Sequence, residues 1–322
     1  MSELAPFRQP LAPAIVEAIG ERARWRFLEF FTANIRNPNT RRAYLKDVTS
    51  FLAWCEERGV YQLGDVTSFH VAGYIEQLTQ TRSAPTAKRH LAALRHLFDW
   101  LVVGQVVPAN PATSVRGPKY TQREGVKPVL EPEEVRALLN AIDTRALAGL
   151  RDRALIALMV FSFARVGAAI AMRVEDVYVQ NRRLWVRLHE KGGKLHKMPC
   201  HHTLEEYLDA WLDSSGLREQ PKAALFPTIR RGTGNGAQQI SDSALYQGDV
   251  HAMVRRRAAA AGIATKIGSQ TFRGTGITTY LKNGGTLEKA RDMANHADLR
   301  TTQLYDRRRD QVTLDEVEKI QL

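Results

Sequence analysis

The run NHADLRTTQLYDRRRD, residues 295–310, places His296 nine residues ahead of Tyr305, and Tyr305 runs directly into Asp306-Arg307-Arg308-Arg309. An imidazole can exchange a proton near neutral pH, a phenol can donate, accept or attack, and clustered guanidiniums attract polyanions. In isolation a tyrosine among cations is an ordinary surface feature. It becomes chemistry only if the rest of the chain supplies a polyanion and further groups. A second suggestive run, Cys200-His201-His202, offers sulfur and imidazole to a metal. Neighbouring strand residues point to opposite faces and no partner ligands lie at zinc spacing, so a metal site is not expected there.

Charge supplies the polyanion. Lys and Arg number 46 against 34 acidic residues, giving +12 and a pI near 9.9. Residues 1–124 hold 16 basic and 11 acidic side chains (+5), and the remainder 30 and 23 (+7). With both halves basic, a nucleic acid gripped from two sides fits better than a basic tail on a neutral enzyme. The 322 residues suit two domains, and 44% apolar with 25% charged residues is a globular composition. No apolar run approaches the ~20 residues of a membrane span, and the start MSELAPFRQPLAP lacks a signal pattern. With Cys55 and Cys200 the only cysteines, a reducing cytoplasm is expected, with the protein nucleoid-associated when bound to DNA.

The elements that must position these residues are mostly helical. Asn39 predicts the N-cap of a helix with Tyr44, Val48, Phe51, Leu52 and Cys55 on one face, ended by Gly59. Thr67 opens a second helix through Ile75 and Leu78. A third follows Pro85, carries Ala87, Leu91, Leu94, Phe98 and Leu101, and closes at Gly104. Arg41, Arg42, Lys46, Lys88, Arg89 and Arg95 make one side of this bundle basic and are its candidate DNA contacts. Residues 105–129 break every periodicity with Pro and Gly. The chain therefore divides into a leader (1–21), a helical domain (22–110), a linker (111–128), a second domain (129–310) and a tail (311–322). In the second domain Pro132 starts a helix, residues 151–164 form a long apolar one, and residues 203–212 another. RRLWVRLHEKGGKLHKMP, residues 182–199, is the one clear strand signal, a hairpin turning at Gly192-Gly193, while residues 228–242 read as a loop.

Five stretches of this chain resemble the tyrosine recombinases, the family of phage integrases and Xer-type recombinases. NPNTRRAYLKDVTSFLAWCEERG resembles the opening helix of their core-binding domain. LIALMVFSFARVGAAIAMRVEDV resembles their first box, with Arg165 as its arginine. The hairpin lysine maps onto Lys191 in HEKGGKLHKMP, the histidine-x-x-arginine box onto QTFRGTGITTYL with Arg273, and the histidine and nucleophilic tyrosine onto His296 and Tyr305. The match runs from about residue 22 to 310, with its boxes in the family's order. It implies a mainly α protein with a small β-sheet in its C-terminal domain, folded as a two-domain, C-shaped DNA clamp.

The implied activity is site-specific recombination of double-stranded DNA by dimers and tetramers of the chain assembled at a specific site. Arg165 and Arg273 would offer bidentate donors to the scissile phosphate. Tyr305 would attack phosphorus and form a 3′-phosphotyrosyl bond, and Lys191 would protonate the leaving 5′ oxygen. His296 would hydrogen-bond a phosphate oxygen or the tyrosine. No metal or other cofactor is expected, because two arginines do the charge work a metal ion does elsewhere, and the covalent bond conserves the energy for rejoining without ATP.

Two positions depart from the family pattern. Gln270 stands where the second box has a histidine, and an amide cannot take a proton at neutral pH. Ala168 stands where an acidic residue usually follows the first arginine, which leaves Arg165 without its usual orienting partner. Two alternatives stay open: a type IB-like topoisomerase using the same tyrosine chemistry, and a sequence-specific DNA-binding protein whose pocket no longer cuts. In the tail, Thr313 and Glu316 read as a capping box for a short helix that docks on its own domain or on a neighbouring subunit.

Overall fold

A computed structural model describes residues 12–120, 128–190, 193–231, 238–306 and 319. The Lys191 and tail assignments fall outside these residues. The chain divides into two units, Met1–Thr121 and Gln122–Leu322.

In the first unit α1 (Ala14–Glu17) and α2 (Glu21–Glu29) precede three longer helices, α3 (Pro38–Glu56), α4 (Ser68–Thr81) and α5 (Ala84–Val103). The predicted stripes face inward: Val48, Phe51, Leu52 and Cys55 of α3 meet Leu94, Leu97 and Phe98 of α5 in one core. The cap of α3 is Asn37 rather than Asn39; its Oδ1 accepts from the Asn39 and Thr40 amides, and Pro38 fills the first helical position. Thr67 caps α4 in a capping box with His70, and Gly104 closes α5, as read from sequence. The unit is larger than the predicted helical domain. Ile15 and Val16 of the supposed leader, and Val107, Ala112 and Val115 of the helix-breaking stretch, are buried in its core. Apolar residues spaced irregularly among prolines carry no periodic signal, yet here they seal the bundle.

The second unit is built around α7 (Leu147–Phe161), reached through α6 (Pro132–Asn140). Residues 154–159 of α7 are buried on every side, as an all-round apolar helix must be. The helix runs over 147–161 rather than 151–164. Leu147 and Leu150 pack on the core at its start, and Phe163, at φ +53°, cannot continue it. After the short α8 (Val166–Ile170), the antiparallel strands β1 (Val177–Gln180), β2 (Arg183–His189) and β3 (Leu195–Pro199) form a sheet. The expected hairpin is present, with Leu188 opposite His196, and β1 adds an unexpected third strand through a left-handed Asn181-Arg182 turn. Then come α9 (His202–Ser215), β4 (Pro227–Arg231) and β5 (Gln238–Ala244). These last two replace the predicted loop. Their polar sequence hides a pairing of Ile229 with Ile240, both packed on the core.

Four more helices follow among the described residues: α10 (Gln247–Ala260), α11 (Ser269–Lys282), α12 (Leu287–Met293) and α13 (Leu299–Gln303). Buried Asp152 of α7 receives Arg151 at 2.7 Å and Arg257 of α10 at 2.8 Å, so the charges are buried paired. α11 crosses α7 at Gly276, where an added Cβ would stand 2.2 Å from the Val160 carbonyl oxygen and 2.7 Å from the Phe163 ring. Only a residue without a side chain permits that approach. Gly276→Ala should therefore destabilise the second unit by about 1–3 kcal/mol, the usual cost of overpacking, read as a lowered unfolding midpoint in denaturant.

Candidate active site

Arg273 lies on the face of α11 that meets the chain leaving α7, and it is only 4% exposed. Its two terminal nitrogens donate to the Phe163 and Ala294 carbonyl oxygens. Both acceptors adjoin left-handed backbone, at Phe163 itself (φ +53°) and at Asn295 (φ +48°). Non-glycine residues adopt that conformation at a cost, and here it turns two carbonyls toward one guanidinium. The Tyr305 side chain packs in one cluster with Phe163 and Ala294, the two residues whose carbonyls hold Arg273. Burial first, and the nearby Arg165 charge second, pull its pKa down to about 10, against the opposing pull of Tyr305 and Glu190; it stays a cation at neutral pH.

Tyr305 follows α13, half-buried, with its carbonyl accepting from Thr278 Oγ1 at 2.9 Å. Its ring lies against Gly274, where a Cβ would meet it at 3.6 Å. The His296 ring stacks on it with centroids 5.8 Å apart and planes 13° from parallel. His296 Nδ1 shares a 2.9 Å hydrogen bond with the buried Thr302 hydroxyl. Burial, then Arg273 and Arg165, depress the His296 pKa to about 3, so the ring is neutral at working pH.

Arg165 occupies the N-cap position of α8 with its side chain 44% exposed, and its Nη1 donates to Glu190 Oε2 at 2.6 Å. Ala168 is buried in the core and offers nothing polar. The acidic partner that Arg165 has instead is Glu190. A signal for it existed: strand alternation places Glu190 on the inward face after Val186 and Leu188, and a carboxylate at an inward position must be paired. The two carbonyls that hold Arg273 were foreshadowed only by Asn295, a residue type that tolerates left-handed backbone.

The structure brings Arg165, Arg273, His296 and Tyr305 together. Gln270, on the first turn of α11, is exposed and lines an open cleft of ≈ 420 Å³ with His251, Arg255 and Lys266. The Cys200-His201-His202 run has local structural contacts: His201 caps α9 by accepting from the Thr203 amide and stacks on Phe161 at 4.3 Å. Of the six basic candidates in the first unit, three are tied into the fold. Arg41 donates to the Ile35 carbonyl (2.9 Å), Arg89 is bidentate to buried Asp47 (2.7 and 2.8 Å), and Arg95 donates to the Ala112 and Val115 carbonyls. Arg42, Lys46 and Lys88 are exposed.

Comparison with known proteins decides the class. Residues 128–311 match the model of the phage integrase family, and residues 26–104 match the phage integrase N-terminal SAM-like domain. This chain belongs to the phage integrase family. It is 30% identical over 308 residues to the tyrosine recombinase XerD of Ralstonia nicotianae, covering 95% of this chain and 94% of the relative. Two solved structures share the fold. The XerH recombinase in a post-cleavage complex with a palindromic difH substrate has a TM-score of 0.65, 22% identity, and coverage of 87% of this chain and 79% of that one. A lambda integrase tetramer bound to a Holliday junction has a TM-score of 0.66, 17% identity, and coverage of 90% and 79%. The chain is a tyrosine-type site-specific DNA recombinase.

A folded-state pKa of about 3 for His296, against about 6.5 unfolded, means the unfolded chain binds the extra proton between those values. The stability from burying this ring neutral is complete above pH 6.5 and is lost as pH falls toward 3. His296→Gln removes that dependence. In pH-resolved thermal denaturation, wild type should lose stability relative to the variant by up to about 1.4 kcal/mol per pH unit below pH 6, with a constant difference above pH 7.

Proposed function

We propose that the second unit cleaves a DNA strand by attack of the Tyr305 phenolic oxygen on a phosphodiester. The O–P bond to tyrosine forms as the P–O5′ bond breaks, leaving a 3′-phosphotyrosyl link and a 5′-hydroxyl; the reverse attack by a 5′-hydroxyl rejoins the strand without metal or ATP. The observation that carries this reading is the buried Arg273 guanidinium, held by the carbonyls of Phe163 and Ala294, against which Tyr305 packs, in a pocket where His296 stacks on the phenol and the Arg165 charge is felt. A phosphate beside the phenol would meet both cations, and their donors would stabilise the charge that grows on its non-bridging oxygens. His296, neutral and stacked beside the phenol rather than in line with it, is suited to a hydrogen bond with one of those oxygens. Lys191 would give the leaving oxygen its proton. The substrate is a specific duplex site, contacted in the first unit through Arg42, Lys46 and Lys88, with dimers and tetramers of the chain assembling on paired sites.

The test starts from footprinting on DNA flanking the gene and uses a nicked duplex built on the protected sequence. Wild type should trap a denaturant-resistant adduct. Tyr305→Phe should bind the duplex with unchanged affinity and form none, and an adduct at the normal rate in that variant would place the nucleophile elsewhere. Arg165→Ala should slow adduct formation on the order of a hundredfold.

Gln270 favours a second reading, a DNA-binding protein that no longer cuts; wild-type adduct formation excludes it. Within the favoured reading, restoring a proton acceptor on the first turn of α11 should help. Gln270→His is expected to raise the single-turnover cleavage rate, and an unchanged or lower rate would assign the phenol's proton to another route.

A further inference from the structure

We infer that Glu190 is a positioning residue for cleavage: its carboxylate fixes the orientation in which Arg165 meets the scissile phosphate. The inference rests on the proposed phosphoryl-transfer reading.

Placement supports it first. Glu190 immediately follows β2, and its amide donates to the Lys194 carbonyl at 2.8 Å, pinning its backbone to the strand pair. The carboxylate is 4% exposed and accepts from Arg165 Nη1 at 2.6 Å. Arg165 itself is 44% exposed, and a guanidinium on a long side chain at that exposure would otherwise spread over many rotamers. One short bond to an immobile, buried acceptor selects among them. It engages one nitrogen and leaves the guanidinium's other donors for phosphate oxygens.

Energetics points the same way. Burying a carboxylate is expensive, and its pairing with a half-exposed arginine returns little of that cost. The position continues an inward series of Val186 and Leu188, where an apolar side chain would serve the core better. A stability role alone therefore does not explain an acid here. Its negative charge also favours the cationic form of Arg273, which Arg165 disfavours, so one carboxylate makes two neighbouring cations tolerable in a partly desolvated pocket.

The test uses the full chain and the same nicked duplex, prepared with either oxygen or sulfur at the 5′ bridging position. A sulfur leaving group needs no proton, so it separates effects on the leaving group from effects on the non-bridging oxygens. Glu190→Gln should slow adduct formation about tenfold to a hundredfold, the scale of an ångström-level misplacement. Duplex affinity should be unchanged and the melting temperature equal or higher. The defect should persist on the sulfur duplex, and Arg165→Ala/Glu190→Gln should be no slower than Arg165→Ala alone. Glu190→Asp, which keeps the charge on a shorter arm, supplies the same comparison if the glutamine variant melts early. The inference is overturned if the variants cut at the wild-type rate, if sulfur restores them, or if the double variant multiplies the two losses. A wild-type protein that traps no Tyr305-dependent adduct would instead sink the functional reading beneath it.

Discussion

A guanidinium cannot shed its proton to suit its surroundings, so burying Arg273 obliges the second unit to build acceptors around it. The Phe163 and Ala294 carbonyls meet that demand, and each depends on backbone held in left-handed geometry. That geometry ends α7 where it does and sets the turn that leads into His296. The side chains of Tyr305, Phe163 and Ala294 then meet Ile277, Leu281 and Ala290 in a small apolar cluster beside the main core. The pocket and this cluster are thus consequences of one buried cation and cannot be varied separately from it.

Electrostatics in the pocket follows from the same burial. Arg165 disfavours the charge of Arg273, and both disfavour protonation of His296. The outcome at neutral pH is a buried cation, Arg273, beside an uncharged imidazole, His296. In the proposed reaction a phosphate entering this pocket would relieve repulsion as well as form bonds.

What the sequence revealed depended on whether a residue's role was periodic. Helical stripes in α3, α4 and α5 were legible because burial repeats every three or four residues, and Thr67 and Gly104 marked their ends. Asn37 was missed because two asparagines flank Pro38, and the proline's preference for the first helical position decides between them. β1, β4 and β5 were missed because short, half-exposed strands carry no alternation strong enough to read. Arg165, Arg273, His296 and Tyr305 became candidates through their resemblance to a family. Glu190 and the two carbonyl anchors lay outside that resemblance, since the first departs from its pattern and the others are backbone atoms.

The crossing at Gly276 has a consequence for how the protein can change. At Gly276, α11 approaches the Val160 carbonyl directly, with the Phe163 ring beside it. The height of Arg273 above α7 is then set in part by a backbone atom that no substitution alters. Side chains on either flank can drift in size over generations, or be redesigned for heat tolerance, without tilting the guanidinium away from the phenol. A buried cation seated this way is less exposed to the repacking that most cores undergo, and the glycine is the position least free to vary.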